Sequence, residues 1–414
     1  MWKVLFQEFI NDLRIQKLRS FLTMFSIAWG TIAVVLLLAF GEGVKNVMSA
    51  GFTNAYDNIL MVYGGTTSKE YEGLPKGRSI RYKLEDVEML ERAIPAIEKI
   101  SPSYGKWGTS LQTDLMKRTT YMEGVYPSFV ELRSMYPAEK GRFLNDLDEK
   151  YRRRVVFLGN DIAAQLFGDE SPVGKQVKLD GMPFTVIGVM IPKIQNSMNN
   201  GPDADRAIIP ASTFKAVYGS QNINHMLIRP RSTQEVEQVK QEVTRLLANR
   251  YKFDPADPNA ISIWDTIETA ANIRMVMLGI QIFLGVVGLF TLCIAGVGIA
   301  NIMYVVVKER TREIGIKLAV GARRLHVQIQ FMFEALAISL AGGGIGLAFS
   351  TAVIAAVRSI PADDGAMQFL TQPELSTAIA LLCAAVLVAV GVAAGFFPAR
   401  KAASLDPVES LRYE

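Results

Sequence analysis

The sequence predicts an α-helical membrane protein with four transmembrane helices and a large extracytoplasmic α/β (α+β) domain, which we expect to be two-lobed. Apolar residues make up 50% of the 414 residues although 20% are charged, so the apolar residues must be concentrated in blocks. Four such blocks lack charged residues. A long polar segment between the first and the second alternates strand-like with helix-like patterns, which is typical of a mixed domain.

Each of the four apolar stretches is long enough to cross a bilayer. A helix rises about 1.5 Å per residue, so about 20 apolar residues span a hydrocarbon core of roughly 30 Å. The stretches are Ser20–Gly41, Met275–Val307, Ala335–Val357 and Leu375–Ala399. The second is longer than a bilayer requires, so we expect it to project beyond the membrane. The first has too long an apolar run for a cleaved signal peptide.

Basic residues predict the orientation of the four helices, since short loops rich in Lys and Arg remain in the cytoplasm. Such residues precede the first helix, fill the link between the second and third, and follow the fourth. The predicted cytoplasmic segments are 1–19, 308–326 and 400–414. The transmembrane segments are 20–43, 275–307, 327–357 and 375–399, and the extracytoplasmic segments are 44–274 and 358–374. The sequence thus predicts a multi-pass protein of the inner (cytoplasmic) membrane with both termini in the cytoplasm.

The N-terminal segment has the pattern of an amphipathic helix. Its apolar residues recur at helical spacing; they are Trp2, Leu5, Phe6, Phe9, Ile10 and Leu13. A helix with such a face either lies in the membrane interface or packs against a soluble partner, and the sequence leaves both open.

The external segment predicts several strands and helices. Predicted strands are Ile59–Tyr63, Arg154–Leu158, Met226–Ile228 and Ala260–Trp264, and predicted helices are Leu84–Ala93, Asp161–Phe167 and Ser232–Arg250, the last capped by Ser232. Val177–Leu179 and Phe184–Val189 fit a hairpin around Asp180-Gly181, because Asp-Gly favours the tight turns that join antiparallel strands.

Composition and spacing argue against several function classes. The net charge of +4 is too small to indicate a nucleic-acid partner. Cys293 and Cys383 both lie in apolar runs, where a cysteine acts as a small apolar side chain. His225 and His326 lie far apart in the sequence, which argues against a histidine metal site. The sequence predicts no catalytic residue, no bound cofactor and no metal in this chain.

One segment comes close to a phosphate-binding loop without matching it. Such a loop needs glycines, a Lys and a Ser or Thr at fixed spacing, because backbone amides hold the phosphate and the hydroxyl binds Mg²⁺. The stretch from Gly168 to Gly174-Lys175-Gln176 has one residue too many between its glycines and places Gln where the hydroxyl belongs. We therefore expect no nucleotide binding by this chain.

The cytoplasmic link carries a nearly balanced set of charges. On a helix, Glu309 would pair with Arg312, Arg310 with Glu313, and Glu313 with Lys317, since each pair is three or four residues apart. Gly321 would then cap the helix. Such a link could transmit force to a partner below the membrane. A solvated loop with chance pairings explains the pattern equally well on these grounds.

Small residues at four-residue spacing indicate close helix contacts inside the membrane. The candidate pairs are Gly296 with Ala300, Gly342 with Gly346, and Gly391 with Gly395. Glu334 lies at the start of the third helix, where a carboxylate is costly unless it is paired or at the interface. It is either an interface residue or a contact to the link or to a partner.

Four motifs together resemble the MacB-type permeases, the family that also contains LolC, LolE and FtsX. The first is Leu18-Arg19-Ser20-Phe21-Leu22-Thr23, leading into the first helix. The second lies within Val155–Val189, with Leu158-Gly159, Leu166-Phe167-Gly168 and Pro172-Val173-Gly174-Lys175. The third runs from Asn301 to Arg323 and includes Glu309-Arg310-Thr311-Arg312-Glu313-Ile314-Gly315. The last, from Gly395 to Glu414, includes Pro398-Ala399-Arg400-Lys401-Ala402.

The resemblance implies a permease subunit that is not an enzyme by itself. A second permease copy or paralogue would pair with it, and two ABC ATPase subunits carrying ATP and Mg²⁺ would dock beneath it. A periplasmic adaptor and an outer-membrane channel are further candidate partners. The residues implied to couple to the ATPase are Glu309, Arg310, Thr311, Arg312, Glu313, Ile314, Gly315, Lys317 and Gly321.

The implied function is ATP-driven movement of the external domain, for export or extraction of a peptide, drug, lipoprotein or similar amphiphile. An alternative is a non-transporting signalling subunit that controls a cell-envelope enzyme. The sequence names neither the substrate nor the partner permease.

Overall fold

The structure is a computed structural model, and it describes residues 17–55, 58–114, 116–193, 195, 200–360 and 372–406. The predicted amphipathic helix before residue 17, most of the loop before the fourth membrane helix, and the end of the C-terminal motif lie outside these residues. The chain divides into two compact units. The membrane unit comprises Met1–Val47 with Met275–Glu414, and the external unit comprises Met48–Arg274.

Helices and strands alternate in the external unit, and the membrane unit is helical in the residues that the structure describes. The helices, in chain order, are α1 (Lys17–Ala55), α2 (Leu84–Ala93), α3 (Phe129–Leu132), α4 (Asp146–Lys150), α5 (Asn160–Phe167), α6 (Ala211–Tyr218), α7 (Val236–Tyr251), α8 (Thr266–Glu309), α9 (Thr311–Ala319), α10 (Arg324–Arg358) and α11 (Thr377–Ala403). The strands are β1 (Leu60–Gly64), β2 (Ile97–Gln112), β3 (Lys117–Val125), β4 (Val155–Leu158), β5 (Gln176–Leu179), β6 (Met182–Val189), β7 (Arg206–Pro210), β8 (His225–Pro230) and β9 (Ile261–Asp265).

Four helices in the described part of the chain are long and apolar enough to cross a membrane, which confirms the four-helix prediction. They are α1, α8, α10 and α11. Helix α8 has 44 residues. At about 1.5 Å per residue it is roughly 66 Å long, about twice the thickness of a hydrocarbon core. The helices extend past the apolar stretches because backbone hydrogen bonding continues into polar residues at both ends.

Glycines allow the membrane helices to pack closely. A Cβ atom at Gly346 of α10 would lie 2.7 Å from the carbonyl oxygen of Ala28 in α1. One at Gly342 would lie 2.9 Å from the carbonyl oxygen of Met24. Gly391 and Gly395 of α11 are equally close to side chains of α10, and Gly296 of α8 is close to Val390 of α11. Ala300 is partly buried against the same apolar core.

Replacing Gly346 with alanine is expected to destabilise the membrane unit, because real Cβ atoms do not approach a backbone oxygen so closely. Overpacking of this kind typically costs about 1–3 kcal/mol. The matched control is Gly344→Ala on the same helix, where a Cβ would have no neighbour within 4 Å. There alanine should stabilise the helix by up to about 1 kcal/mol. The thermal unfolding midpoint in detergent should therefore fall for Gly346→Ala and rise for Gly344→Ala. A shift of the same sign in both variants would contradict the close contact between Gly346 and α1.

The external unit contains a nine-stranded sheet in two topologically distinct parts. The first part has the strand order β9-β1-β8-β2, with antiparallel neighbours throughout. With α2 and α7 it forms a β-α-β-β-α-β arrangement of the ferredoxin-like kind. The second part is inserted between β2 and β8. There β2, β3, β7, β4, β6 and β5 form a closed ring, because β2 pairs with both β3 and β5.

These two parts, called here the first and the second lobe, match the expected two-lobed α/β domain. Helix α2 has the predicted bounds. The predicted hairpin is present as β5 and β6, with Asp180 (φ +48°) and Gly181 (φ +86°) in the left-handed region that its turn requires. Ser232 caps a short 3₁₀ turn that leads into α7, and its side chain accepts a hydrogen bond from the Gln234 backbone N–H.

Candidate functional site

The link between α8 and α10 is helical but not continuous. Helix α8 ends at Glu309, Arg310 departs from helical geometry (φ −92°, ψ +9°), and α9 begins at Thr311. Gly321 ends the link with φ +98°. Its N–H donates to the carbonyl of Leu318 at 3.1 Å. A glycine just past the end of a helix can adopt this conformation without steric cost, so Gly321 turns the chain towards α10.

Two of the charge pairs that spacing predicts in the link are present, Arg310 with Glu313 and Glu313 with Lys317. Arg310 binds Glu313 through two hydrogen bonds of 2.9 Å, and Lys317 lies 3.1 Å from the same carboxylate. Hydrogen bonds from Arg310, together with the nearby charge of Lys317, lower the pKa of Glu313 to about 2. Glu313 therefore stays ionised across the physiological range. Exposed pairs of this kind are worth only about 0.3–0.5 kcal/mol each.

Arg310 also connects the link to α10. Its Nη1 lies 3.1 Å from Glu334 Oε1, and its guanidinium lies 5.5 Å from the centre of the Phe331 ring. The side chains of Arg310 and Glu334 are only 14% and 7% exposed. Of the alternatives for Glu334, the structure shows a contact to the link. Sequence spacing could not reveal this pair, because 24 positions separate its members.

The remaining link residues divide into an inner and an outer side. Ile314 and Gly315 are buried, and Ile314 belongs to the apolar core of the membrane unit. Thr311 donates its hydroxyl to carbonyls of the preceding turn. The outer side, called here the outer face, consists of Arg312, Ile316, Ala319, Val320 and Arg323, all of them exposed.

Two apolar side chains stand out on this outer face. Ile316 is 48% exposed and Val320 is 84% exposed. They lie four residues apart with Arg312 a turn earlier, so they share one side of the helix. The coupling residues that the resemblance implies include Arg312 but not Ile316, Ala319 or Val320. The i, i+4, i+7, i+8 spacing from Arg312 was the signal in the sequence that could have identified them.

A second cluster of ionisable side chains is buried in the external unit and was not predicted. Arg206 Nη1 lies 2.5 Å from Glu123 Oε2, and its Nη2 lies 3.3 Å from Asp203 Oδ1. Arg133 and Lys193 also contact Asp203, at 2.5 Å and 2.8 Å. These side chains come from β3, β7 and the loops of the second lobe. They belong to the buried polar residues of the unit, and Arg206 is among its largest fully buried side chains.

The first lobe contributes His225 and Ser103 to this buried cluster. Ser103 Oγ donates to Glu123 at 2.5 Å, and His225 Nε2 lies 3.6 Å from the same carboxylate. Burial lowers the pKa of His225 to about 4, so the imidazole is neutral at pH 7. Burial is the largest influence on the pKa of Glu123 and raises it, but the Arg206 guanidinium together with the smaller influences of Arg133 and the Ser103 hydrogen bond holds that pKa below its usual range. The cluster thus joins the two lobes through desolvated charges.

Two family models match this sequence and fall on the regions just described. A MacB-like periplasmic core domain matches residues 20–246, and an FtsX-like permease C-terminal domain matches residues 285–407. The chain belongs to the MacB-type ABC permease family. The second match contains the whole link and its outer face. Together with the four apolar helices, these matches make the chain a multi-pass protein of the inner membrane.

Curated relatives of this MacB-type permease are similar along almost its whole length. The macrolide export ATP-binding/permease protein MacB of Bdellovibrio bacteriovorus is 28% identical over 407 residues, which cover 98% of this chain and 61% of that protein. The pyoverdine export ATP-binding/permease protein PvdT of Pseudomonas syringae pv. syringae is 30% identical over 97% of this chain and 58% of that protein. The chain therefore spans about three fifths of the length of these relatives.

A solved structure of the periplasmic region of MacB from Actinobacillus actinomycetemcomitans is also similar. It is 19% identical and aligns with a TM-score of 0.42, over 56% of this chain and 98% of that one.

Proposed function

We propose that this chain is the permease subunit of an ABC exporter and that the outer face of its link docks a cytoplasmic ABC ATPase. The observation that carries the proposal is the exposure of Ile316 and Val320 between two membrane-spanning helices. Exposed apolar side chains grouped with arginine on one face are typical of a protein interaction surface, where arginine is enriched. The charge bias of the link supports its placement in the cytoplasm, where ATP is available.

In this proposal the permease binds no nucleotide itself, and ATP and Mg²⁺ are held by the ATPase. ATP-driven movement of the ATPase would reach the membrane unit through two routes. Arg310 connects the link to α10, and Ile314 anchors it in the apolar core. The movement would then act on the external unit. A second permease copy or a paralogue completes the membrane assembly, and a periplasmic adaptor and outer-membrane channel would carry the substrate onward.

The proposed substrate class is a peptide, drug, lipoprotein or similar amphiphile that is exported or extracted at the outer side of the membrane. The relatives named above are macrolide and pyoverdine exporters by name, which supports export. The names of these relatives also favour transport over the alternative, the control of a cell-envelope enzyme.

The test places a charge at the centre of the outer face. Ile316→Asp combined with Val320→Asp should leave membrane insertion intact, because neither side chain is buried. Each aspartate would place an unpaired carboxylate in the proposed contact, and at a cost of about 2 kcal/mol or more the affinity for the ATPase should fall roughly thirtyfold. The measurement is co-purification of the ATPase with equal amounts of inserted permease. Residues 1–414 purified alone should show no ATP hydrolysis above background.

The matched control is Trp107→Asp with Met116→Asp, two exposed apolar residues of the external unit. This control should retain the ATPase fully. Arg310→Glu is unsuitable as a docking test, because it would also break the contact with Glu334 inside the permease. Full retention of the ATPase by the Ile316/Val320 variant would refute docking at the outer face.

A further inference from the structure

The external unit carries an exposed basic surface that the proposed transport function does not use. It begins at the last residue of α4 and consists of Lys150, Tyr151, Arg152, Arg153 and Arg154, all exposed. Leu147, one helical turn before Tyr151, is also exposed. This set of six residues is called here the basic-aromatic surface. Its cations belong to the second lobe, at the point where the chain enters β4.

The acidic residues nearby offset only part of the positive charge of this surface. Asp148 is buried and pairs with Arg142 and with Arg153. Glu149 accepts hydrogen bonds from the backbone N–H of Ser212. Asp146 is the one exposed acid in the segment from Arg142 to Arg154, against four exposed cations of the basic-aromatic surface. The surface therefore remains positively charged and fits an anionic partner.

The backbone of Arg152 adopts a conformation that favours glycine. Arg152 has φ +48°, a left-handed conformation that glycine adopts without steric cost and arginine does not. It follows α4 at a position where helices commonly carry glycine.

The aromatic and aliphatic side chains narrow the class of partner. Tyr151 and Leu147 are 61% and 50% exposed. Lys150 Nζ lies 5.6 Å and the Arg153 guanidinium 5.8 Å from the centre of the Tyr151 ring. A free anion could contact the cations but would leave both apolar side chains in water. A lipid headgroup layer offers many anions above an apolar interior, and tyrosine is enriched at that depth.

We propose that the basic-aromatic surface binds an anionic phospholipid membrane surface. The four cations contact headgroup phosphates, and Tyr151 with Leu147 enters the boundary between headgroups and acyl chains. Because each cation near an anionic lipid surface contributes separately, the interaction is multivalent and falls with ionic strength.

The test uses the full chain in nanodiscs of neutral phosphatidylcholine, floated with vesicles that do or do not contain phosphatidylglycerol. The wild-type protein should bind the phosphatidylglycerol vesicles at low salt and not the neutral ones. Lys150→Gln with Arg152→Gln and Arg154→Gln should weaken binding about tenfold or more. These residues are exposed, so the variant should keep the wild-type thermal unfolding midpoint. Tyr151→Ser should weaken the binding that persists at higher salt.

The matched control is Lys117→Gln with Lys178→Gln and Arg245→Gln, three exposed cations of the external unit outside this surface. It changes the net charge equally and should bind like the wild type. Equal binding by the two triple variants would overturn the proposal, as would equal binding of the wild type to neutral vesicles. Binding to polyglutamate without binding to phosphatidylglycerol vesicles would also overturn it and would assign the surface to an acidic protein.

Discussion

Replacing Arg206 with methionine is expected to lower the free energy of unfolding of the external unit by about 3–5 kcal/mol. Removing one partner of a buried ion pair leaves the other charge desolvated and unpaired, which is the costly outcome. Arg206 lies between Glu123 and Asp203, and all three side chains are at most 1% exposed. The measurement is proteolysis of the intact chain across a urea series, which reports the equilibrium opening of the external unit.

Two control variants separate burial from charge in this experiment. Lys175→Met breaks the ion pair with Glu170, which is exposed, and should cost at most about 1 kcal/mol. Arg206→Met combined with Glu123→Leu removes both members of the closest pair, so it should recover part of the lost stability. If Arg206→Met were no more destabilising than Lys175→Met, the buried cluster would not hold the two lobes together.

The hydropathy pattern was sufficient to locate the four membrane helices, because each contains an uncharged apolar stretch that is long enough to cross a bilayer. Local turn chemistry was sufficient for the β5–β6 hairpin, since Asp180 and Gly181 adopt the conformations that such a turn demands. These features depend on residues that are close together in the sequence, and that is the reason they could be predicted.

Strand β2 was missed because its own residues do not resemble a strand. Pro102, Gly105 and Gly108 interrupt the alternation of apolar and polar residues, and a bulge lies between Lys106 and Thr109. Pairing with β3, β5 and β8 stabilises the strand, so its conformation comes from tertiary contacts. The closed ring of the second lobe depends on this strand and was unpredictable for the same reason.

In the link, too, sequence spacing predicted the contacts between neighbouring residues and missed those between distant ones. Spacing predicted the pairs of Glu313 with Arg310 and with Lys317, which lie within one helical turn of each other. It could not predict the contact between Arg310 and Glu334, which depends on how α9 packs against α10. Nor could it connect His225 with Glu123, whose contact depends on the two lobes meeting. The buried ionic contacts are thus the part of the molecule that sequence patterns leave undetermined.

Replacing Glu334 with leucine is expected to destabilise the link more than replacing Glu313 with glutamine. Leucine removes a near-buried carboxylate from the Arg310 guanidinium and leaves its pair with the half-exposed Glu313 in place. Loss of one member of a buried charge pair typically costs about 2–5 kcal/mol. We expect a lower thermal unfolding midpoint of the membrane unit in detergent, and faster proteolysis between Glu309 and Arg324 because the link is no longer held against α10.

Two control variants, Glu313→Gln and Glu334→Gln, test whether this effect comes from the contact between Arg310 and Glu334. Glu313→Gln weakens two exposed pairs, one with Arg310 and one with Lys317, and at about 0.3–0.5 kcal/mol for each pair should cost at most about 1 kcal/mol. Glu334→Gln keeps an acceptor for Arg310 and should lie between wild type and Glu334→Leu. Because the outer face is left unchanged, a displaced link would still bind the ATPase but transmit its movement poorly, so hydrolysis should persist while transport declines. Equal effects of Glu334→Leu and Glu313→Gln would instead mean that Ile314 and the surrounding apolar core position the link, and that the Arg310–Glu334 contact is dispensable.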